Sequence, residues 1–254
     1  MVYKNNKNTS WGQVANWYDS YLKKEDSYQS VVIWPNLKRL VDLKPNESML
    51  EIACGQGFFL NKFYDFSKNI FGIDIGSDLI KIAQKNNPKI KYAIANAEDL
   101  NVFPDTKFDV INIILALQNI KNLDAVSVNI SRMLKDGGRA FIVLNHPFFR
   151  IPQKSDWHYD AKKNLQGRIV DSYMSNFEIK INMHPGKDSK YTYSFHRPLQ
   201  VYSKSFAKNN LAIFKIEEWV SHKKSQKGQR SSAEDRARKE FPMFMCLELR
   251  KISI

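Results

Sequence analysis

The residues best suited to chemistry follow a short apolar run early in the chain, over residues 49–59. Glu51 stands near the end of that run, and Gly55 and Gly57 follow it before an apolar helical pattern starts at Phe58. Glycine lets a backbone turn sharply and approach a ligand without a Cβ in the way. A strand, a glycine turn and a helix in this order bind cofactors in many α/β proteins, so the stretch predicts a cofactor-binding turn.

Two further apolar runs end in polar residues that could bind the same cofactor. Residues 69–75 contain Asp74, about 20 residues after the glycine turn, which is the spacing at which a carboxylate meets ribose hydroxyls. The next run, residues 90–95, is followed by a polar tripeptide, Asn96, Ala97 and Glu98.

Residues 45–145 resemble the class I S-adenosylmethionine-dependent methyltransferases, and in particular their small-molecule group. The resemblance rests on an acidic residue before the glycine series, a second strand ending in Asp, a third followed by a D-A-E-type tripeptide, and the L-K-x-G-G step at residues 134–138. Two positions depart from the pattern, since Ala53 replaces the first glycine and Asn96 replaces an aspartate. We expect Ala53 to fit the turn with a negative φ, and the Asn96 oxygen to accept from an adenine amino group.

The resemblance implies S-adenosylmethionine as cofactor and methyl transfer as the reaction. It also implies a set of cofactor-binding residues: Tyr18, Glu51, Ala53, Cys54, Gly55, Gly57, Asp74, Ile75, Asn96, Ala97, Glu98, Leu115, Ala116 and Gln118. Tyr18 lies in a helical pattern whose tyrosine, in the family, approaches the methionyl carboxylate. Packing on the edge of the domain is the alternative for Tyr18, and capping of the next helix is the alternative for Gln118.

The alternation of strand and helix patterns predicts an α/β fold. We expect a Rossmann-like, seven-stranded, mostly parallel sheet with helices on both faces and an inserted β-hairpin lid. The expected strands are 48–53, 69–74, 90–95, 108–115 and 139–145, and the expected helices are 57–66, 77–86 and 122–134. Ligands in such sheets bind beyond the carboxyl ends of the strands, which selects Glu51, Asp74, Asn96, Leu115 and Asn145.

The chain is expected to form one methyltransferase domain over residues 1–254, in four parts. These are N-terminal helices in 1–44, a cofactor-binding core in 45–145, an inserted lid in 146–198, and a C-terminal helix with edge strands in 199–254. Two β-like runs, 175–183 and 190–196, predict a hairpin in the insert. Its many aromatic residues indicate a lid or a subunit contact. The oligomeric state stays open, with a homodimer as one alternative.

Histidine is the natural candidate if the acceptor needs a general base. His146 follows the fifth strand of the core and His196 precedes the return helix, so both are predicted to be catalytic, with a structural imidazole as the alternative for each. The histidine spacing shows no H-x-x-x-H or H-x-E pattern, and we therefore predict no metal site.

Four other functions compete with methylation of a small molecule. An NAD-dependent dehydrogenase is disfavoured because Phe58, Phe59 and Leu60 follow Gly57, so the third glycine of G-x-G-x-x-G is missing. An RNA methyltransferase is the main alternative, because residues 146–254 hold 21 Lys/Arg against 11 Asp/Glu. The N/D-P-P-Y segment of base-methylating enzymes is absent after residue 113. A protein acceptor and a non-catalytic cofactor-binding protein complete the alternatives.

Composition predicts a cytoplasmic protein without membrane segments. The sequence has no run of 18 apolar residues and no hydrophobic N-terminal stretch of the secretory kind. Its two cysteines, Cys54 and Cys246, suggest neither a disulfide framework nor a metal cluster, which fits a reducing compartment.

Overall fold

The computed structural model describes residues 25–102, 105–182 and 191–252, and its centre is a seven-stranded sheet. The strands are β1 (Met49–Ile52), β2 (Ile70–Asp74), β3 (Lys91–Ile94), β4 (Phe108–Ile114), β5 (Leu134–Asn145), β6 (Ser155–Asp160), β7 (Leu165–Val170), β8 (Phe177–Asn182), β9 (Tyr191–His196), β10 (Leu211–Trp219) and β11 (Phe244–Lys251). The order across the sheet is β10-β11-β5-β4-β1-β2-β3. Only β11 runs against its neighbours, which confirms the predicted mostly parallel sheet.

The described residues also form six α-helices. They are α1 (Trp34–Val41), α2 (Phe58–Phe63), α3 (Ser77–Asn86), α4 (Leu123–Met133), α5 (Leu199–Lys208) and α6 (Ser231–Glu240). A π-helical turn, Gln29–Ile33, leads directly into α1, and Pro35 lies in the first turn of that helix, where its missing N–H costs nothing. The predicted helix around Tyr18 lies outside the described residues.

The two faces of the sheet are covered by separate apolar clusters. Along β1, side chains alternate, so Leu50 and Ile52 join the cluster under α4 and α5, whereas Met49 joins the cluster under α1 and α2. β4 is almost continuously apolar because it is buried on both faces. Strand order reverses between β1 and β4, which places a ligand-binding crevice beyond their carboxyl ends.

The insert after β5 contains more structure than the sequence indicated. The predicted hairpin runs form an antiparallel pair, β8 and β9, in which Phe177 pairs with His196. A second antiparallel pair, β6 and β7, was not predicted because its residues alternate little in polarity. Its connection is closed by the Asp160 carboxylate, which accepts from the backbone N–H groups of Lys162 and Lys163.

Two element boundaries differ from the sequence pattern. Helix α4 ends at Met133, and Leu134 already pairs with Phe108, so the glycines at 137 and 138 lie inside β5 and do not end the helix. Between β10 and β11 the basic segment 221–240 contains α6, which buries Ala233 and Ala237 one turn apart.

Asp109 joins the amino ends of the central strands, on the edge of the sheet opposite the crevice. Its Oδ2 accepts from the backbone N–H of Ser48 at 2.8 Å, from the Ser48 hydroxyl at 2.7 Å and from Lys135 Nζ at 2.7 Å. Charge-assisted bonds of this kind are among the stronger hydrogen bonds in proteins. The start of β4 is thereby held to the start of β1.

Replacing Asp109 by Asn should remove an acid-sensitive contribution to stability. Burial would raise the pKa of the Asp109 carboxyl, but hydrogen bonds from Lys135 and Ser48 outweigh it and hold the pKa at about 2. Such a group stabilises the fold above about pH 4 and loses its contribution as the pH falls toward about 2. In urea unfolding at about pH 5 and pH 3, the free energy of unfolding should therefore drop less for Asp109→Asn than for the wild type. Equal drops would assign the acid sensitivity to other groups.

Candidate active site

The glycine turn leaves the end of β1 through three residues with left-handed backbone. Ala53 has φ +57°, Gly55 has φ +56° and Gly57 has φ +77°. The expectation of a negative φ at Ala53 is therefore wrong. The turn needs a left-handed residue directly after the strand, and the small Ala side chain accepts that conformation at a cost of about 1 kcal/mol. At Gly57 a Cβ would lie 2.5 Å from the Tyr92 hydroxyl, so only glycine fits.

Asp74, at the end of β2, ties this turn to the next helix. Its Oδ2 accepts from the Gly55 N–H at 2.9 Å, and its Oδ1 accepts from the Gly76 N–H at 2.7 Å, just before α3. Burial raises the pKa of the Asp74 carboxyl, and these backbone bonds partly counter the rise. Each oxygen keeps a second lone pair for a ligand donor.

Glu51 lies beside Asp74 and is almost completely buried, with 2% of its surface exposed. Burial raises the pKa of the Glu51 carboxyl well above its ordinary value, and the Asp74 carboxylate adds to the rise. Oε2 has no hydrogen-bond partner among the described residues. A buried acceptor without a partner is costly, so this oxygen suits a ligand with a cationic or N–H group. Cys54, also buried, is a free thiol whose pKa is raised by the same burial.

The segment after β3 is held by hydrogen bonds to its own backbone and to α4. Asn96 Oδ1 accepts from the Glu98 N–H at 3.0 Å, and Asn129 donates to the Ala97 carbonyl at 3.0 Å. Glu98 Oε1 accepts from the backbone N–H of Asn122, the residue that caps α4. The segment is thus fixed in place, and the second lone pair of the Asn96 oxygen remains for a ligand.

The segment after β4 also leaves its strand with left-handed backbone, at Leu115, whose φ is +53°. Gln118 lies in a short 3₁₀ turn (Leu117–Asn119) and donates from Nε2 to the Leu115 carbonyl at 2.8 Å. Its Oε1 is buried without a partner among the described residues. Gln118 therefore braces its own loop, and the cap of α4 is Asn122, not Gln118.

These strand ends surround a groove made of two adjoining cavities, of about 170 Å³ and 380 Å³. Both cavities are lined by Ala53, Asp74, Ile75, Asn119 and Ile120. The first adds Gly55, Leu79, Leu115 and Ala116, and the second adds Asn96, Ala97 and Glu98. Ile75 is 51% exposed here, which offers an apolar surface for a flat ring. Nine predicted cofactor residues meet in this groove: Ala53, Gly55, Asp74, Ile75, Asn96, Ala97, Glu98, Leu115 and Ala116.

Four of the other five predicted cofactor residues do not line the groove, and the fifth lies outside the described residues. Glu51 and Cys54 are buried next to the turn, Gly57 packs against Tyr92, and Tyr18 lies outside the described residues. Gln118 lines a different cavity, described next.

A larger cavity of about 530 Å³ adjoins the groove and shares Leu115 and Asn119 with it. Its walls come from the segments after β4 and β5, from β8 and β9, and from α5. Along β9 the period-two alternation turns Thr192, Ser194 and His196 inward, and all three line the cavity. The insert therefore forms one wall of this space.

His146 does not line that cavity, although its neighbours Asn145 and Pro147 do. Its Nδ1 accepts from the backbone N–H groups of Phe148 and Phe149, so its Nε2 carries the proton and donates to Glu218 at 2.6 Å. Burial lowers the pKa of His146 despite Glu218. Both ring nitrogens are thus committed to structural bonds, and the geometry gives no support to His146 as a catalytic base.

His196 lines the cavity and is arranged differently. Its Nε2 donates to the Tyr173 carbonyl at 2.8 Å, which leaves Nδ1 as the basic nitrogen. Its ring stacks on Phe177 at 4.7 Å between centroids. Burial lowers the pKa of His196, so the imidazole is neutral near pH 7 and able to accept a proton.

The sequence reasoning missed several polar residues of the larger cavity. Gln29, Arg150, Arg197 and Tyr202 all line it. Arg197 directly follows His196, and that position was the only signal that could have indicated it. Arg150, Gln29 and Tyr202 come from three separate parts of the chain, so no local pattern joins them.

The described part of the chain shows neither a metal-binding cluster nor a membrane-spanning helix. Within residues 25–102, 105–182 and 191–252, no cluster of three or more His, Cys, Asp or Glu side chains is arranged to hold a metal ion. In the same ranges no helix combines the length and apolarity needed to cross a membrane.

Residues 50–142 match the family model described as a methyltransferase domain. A ubiquinone/menaquinone biosynthesis C-methyltransferase of Shewanella pealeana is 31% identical over 161 residues, covering 58% of this chain. The alignment spans 63% of the length of that relative. An uncharacterised methyltransferase of Schizosaccharomyces pombe is 31% identical over 110 residues, which is 39% of each chain.

Solved structures of S-adenosylmethionine-dependent methyltransferases share the fold. One from Mesorhizobium loti has a TM-score of 0.72 and 19% identity, over 89% of this chain and all of that one. One from Listeria monocytogenes has a TM-score of 0.67 and 22% identity, over 87% of this chain and 98% of that one.

Adding a methyl group at Gly55 should weaken binding of S-adenosylhomocysteine, the product form of the predicted cofactor. A Cβ at Gly55 would meet no protein atom within 4 Å and would occupy the groove that Gly55 lines. We expect Gly55→Ala to lower the affinity about tenfold or more in calorimetry, since filling contact space costs about 1–3 kcal/mol.

Gly137→Ala is the matched control for this variant. Gly137 also has a positive φ, +74°, and an open Cβ position, but it lies on β5 away from the groove. Both variants should lose about 1 kcal/mol of folding stability from backbone strain, and only Gly55→Ala should lose affinity. Equal affinities would place the cofactor elsewhere.

Proposed function

We propose that this chain, whose residues 50–142 form a class I S-adenosylmethionine-dependent methyltransferase domain, transfers a methyl group to a small-molecule acceptor. The observation that carries the proposal is the junction at Leu115 and Asn119. There the groove at the strand ends meets the larger cavity walled by the insert. Two adjoining sites are what transfer between a cofactor and an acceptor requires, because both reactants must be held in line.

The residues of the groove fit S-adenosylmethionine. Asp74 has lone pairs for the ribose hydroxyls, Ile75 offers an apolar face to the adenine, and Gly55 leaves room beside the turn. Glu51 has an unpartnered buried oxygen that suits the positive charge or the amino group of the methionyl part. Bound there, the cofactor would supply a methyl group on a sulfonium sulfur, which would leave as a neutral thioether when the acceptor takes the methyl group.

The size of the larger cavity supports a small molecule as acceptor. Its volume of about 530 Å³ lies in the range of ordinary ligand pockets, which is roughly 300–1,000 Å³. The Shewanella relative is named for a C-methylation in ubiquinone and menaquinone biosynthesis, which is also small-molecule chemistry. Burial of the acceptor between the insert and the strand ends would exclude water from the reaction.

RNA is the second candidate, favoured by the basic charge of residues 146–254. Part of that excess is neutralised by carboxylates outside the segment. The pairs are Lys208–Asp124, Lys223–Asp26 and Lys251–Asp136. Tight RNA binding that weakens steeply as salt rises would favour RNA over a small molecule.

His196 is the residue we assign to proton removal, if the acceptor atom carries a proton. It lines the acceptor cavity, its Nε2–H is fixed by the Tyr173 carbonyl, and its remaining nitrogen is basic. A fixed tautomer is what a general base needs, because the basic nitrogen then keeps one orientation.

Asp74→Asn tests the cofactor assignment. The substitution keeps the size of the side chain but removes its charge and one acceptor oxygen. We expect calorimetry with S-adenosylhomocysteine to show binding weaker by roughly 2 kcal/mol, the typical cost of a lost charged hydrogen bond. Asp109→Asn is the matched control, since its carboxylate also accepts from a backbone N–H but lies at the opposite edge of the sheet. Unchanged affinity in Asp74→Asn would refute the placement of the cofactor.

His196→Gln tests the base. With an accepted substrate, the variant should lower kcat about a hundredfold, and its rate should no longer depend on pH between about 5 and 7. In the wild type the rate should fall only at pH values below 6.5, because burial lowers the pKa of His196 from that value. His146→Gln is the control and should keep the wild-type pH profile while losing stability. Identical profiles for wild type and His196→Gln would remove His196 from proton transfer.

A further inference from the structure

The larger cavity, to which we assign the acceptor, is lined by two arginines and, among the described residues, by no Asp or Glu. A guanidinium is always charged near neutral pH, and burying it without a partner is costly. Arginines inside proteins are therefore usually paired with carboxylates. Among the described residues neither Arg150 nor Arg197 pairs with a carboxylate, and because Arg197 is also buried, its charge points to a ligand that completes it.

Arg197 is only 7% exposed. Of the two terminal nitrogens of its guanidinium, only one makes hydrogen bonds with the described residues. Nη2 donates to the carbonyls of Ile120 at 2.8 Å and Lys121 at 2.7 Å. Nη1 has no hydrogen-bond partner among the described residues. The two carbonyls fix the guanidinium plane without neutralising its charge. Arg197 is thus held in one orientation with donors still unused.

The surroundings of Arg197 supply no negative charge. Tyr202 lies close to Arg197: burial raises the pKa of Tyr202, and the charge of Arg197 and a hydrogen bond from it lower that pKa again. A tyrosine with a raised pKa is neutral near pH 7, so it offers a hydroxyl but no compensating charge. Tyr202 also lines the cavity and can add a hydrogen bond to a bound group.

Arg150 brings a second positive charge to the same cavity. Arg150 is an exposed residue, and the described residues give its guanidinium no ion pair. The nearby Arg168 cannot compensate it, because that side chain is itself cationic and donates to the Phe149 carbonyl and the Ser155 hydroxyl. The cavity therefore carries an excess of positive charge on two separate side chains.

We propose that the acceptor is a small carboxylic acid whose carboxylate binds Arg197 Nη1 in the field of Arg150. This inference rests on the proposed methyl transfer and names its substrate class. Arg197 Nη1 keeps its N–H groups for a carboxylate oxygen, in a charge-assisted hydrogen bond. A phosphate presents more oxygens and is commonly bound by several backbone N–H groups at a helix N-terminus, whereas at the start of α5 the Leu199 N–H already donates to the Tyr173 hydroxyl.

The methionyl carboxylate of the cofactor is the competing ligand for these arginines. Neither Arg150 nor Arg197 lines the two cavities of the groove, and both line the larger cavity. The positions of the arginines thus favour the acceptor. The competition is decided by measuring cofactor and acceptor binding separately in the same variants.

The experiment titrates protein saturated with S-adenosylhomocysteine by calorimetry, using benzoate, 4-hydroxybenzoate and phenylacetate, each beside its primary amide. The amide keeps the shape of the acid and removes the charge. We expect at least one acid to bind about tenfold more tightly than its amide, as one charge-assisted hydrogen bond provides. If every amide binds as well as its acid, or inorganic phosphate binds more tightly than every acid, the inference is overturned.

Two variants locate the carboxylate. Arg197→Met and Arg150→Gln should each remove the preference for acid over amide, while the affinity for S-adenosylhomocysteine stays at the wild-type value. Arg150→Gln breaks no hydrogen bond of the described structure, so it tests the charge even if Arg197→Met folds poorly. Arg132→Met is the control, because Arg132 also donates to a backbone carbonyl, that of Leu100, but does not line the cavity.

The possible failures are distinguishable. If Arg197→Met weakens S-adenosylhomocysteine as much as the acid, the guanidinium holds the cofactor and the carboxylate assignment is wrong. If wild-type protein does not bind S-adenosylhomocysteine at all, the proposed function fails, whatever the acids do. If the acid preference survives both variants, the charge that selects the acid lies elsewhere.

Discussion

The hydrogen bonds of the Asp74 carboxylate are the interaction on which the site depends. One oxygen holds the Gly55 N–H of the turn after β1, and the other holds the Gly76 N–H before α3. These bonds hold the carboxyl ends of two adjacent parallel strands together, and those strand ends form the floor of the groove. The carboxylate is buried beside Glu51, so its charge is held by backbone dipoles instead of water.

Backbone strain is concentrated where the groove is formed. Ala53 and Leu115 both have a positive φ, both directly follow central strands, and both line the groove. Each costs about 1 kcal/mol or more relative to an ordinary conformation, and the surrounding sheet must supply that energy. Violations of local preference at these two positions, together with the unpartnered Glu51 oxygen, are what a binding site is expected to show.

The core of the fold could be predicted because its signals are local and periodic. Apolar runs of strand length, an acid at the end of β2 and glycines at 55 and 57 are all visible within short windows, and each was found near its predicted position. The hairpin of β8 and β9 was also recognisable from its aromatic residues. The β6–β7 pair was not, because an exposed hairpin buries too little apolar surface to need regular alternation.

The sequence by itself determined the order of strands and helices, the turn and the acids around it, since these follow from neighbouring residues. Only the tertiary structure decided which histidine faces the acceptor cavity. His146 does not line the cavity, and its ring is held by Glu218, which is far along the chain. His196 lines the cavity, and its ring is held by the Tyr173 carbonyl. The uncompensated charge of Arg150 and Arg197 is likewise invisible in sequence. Whether a charge is paired depends on which distant side chains burial brings to it, and no local pattern records that.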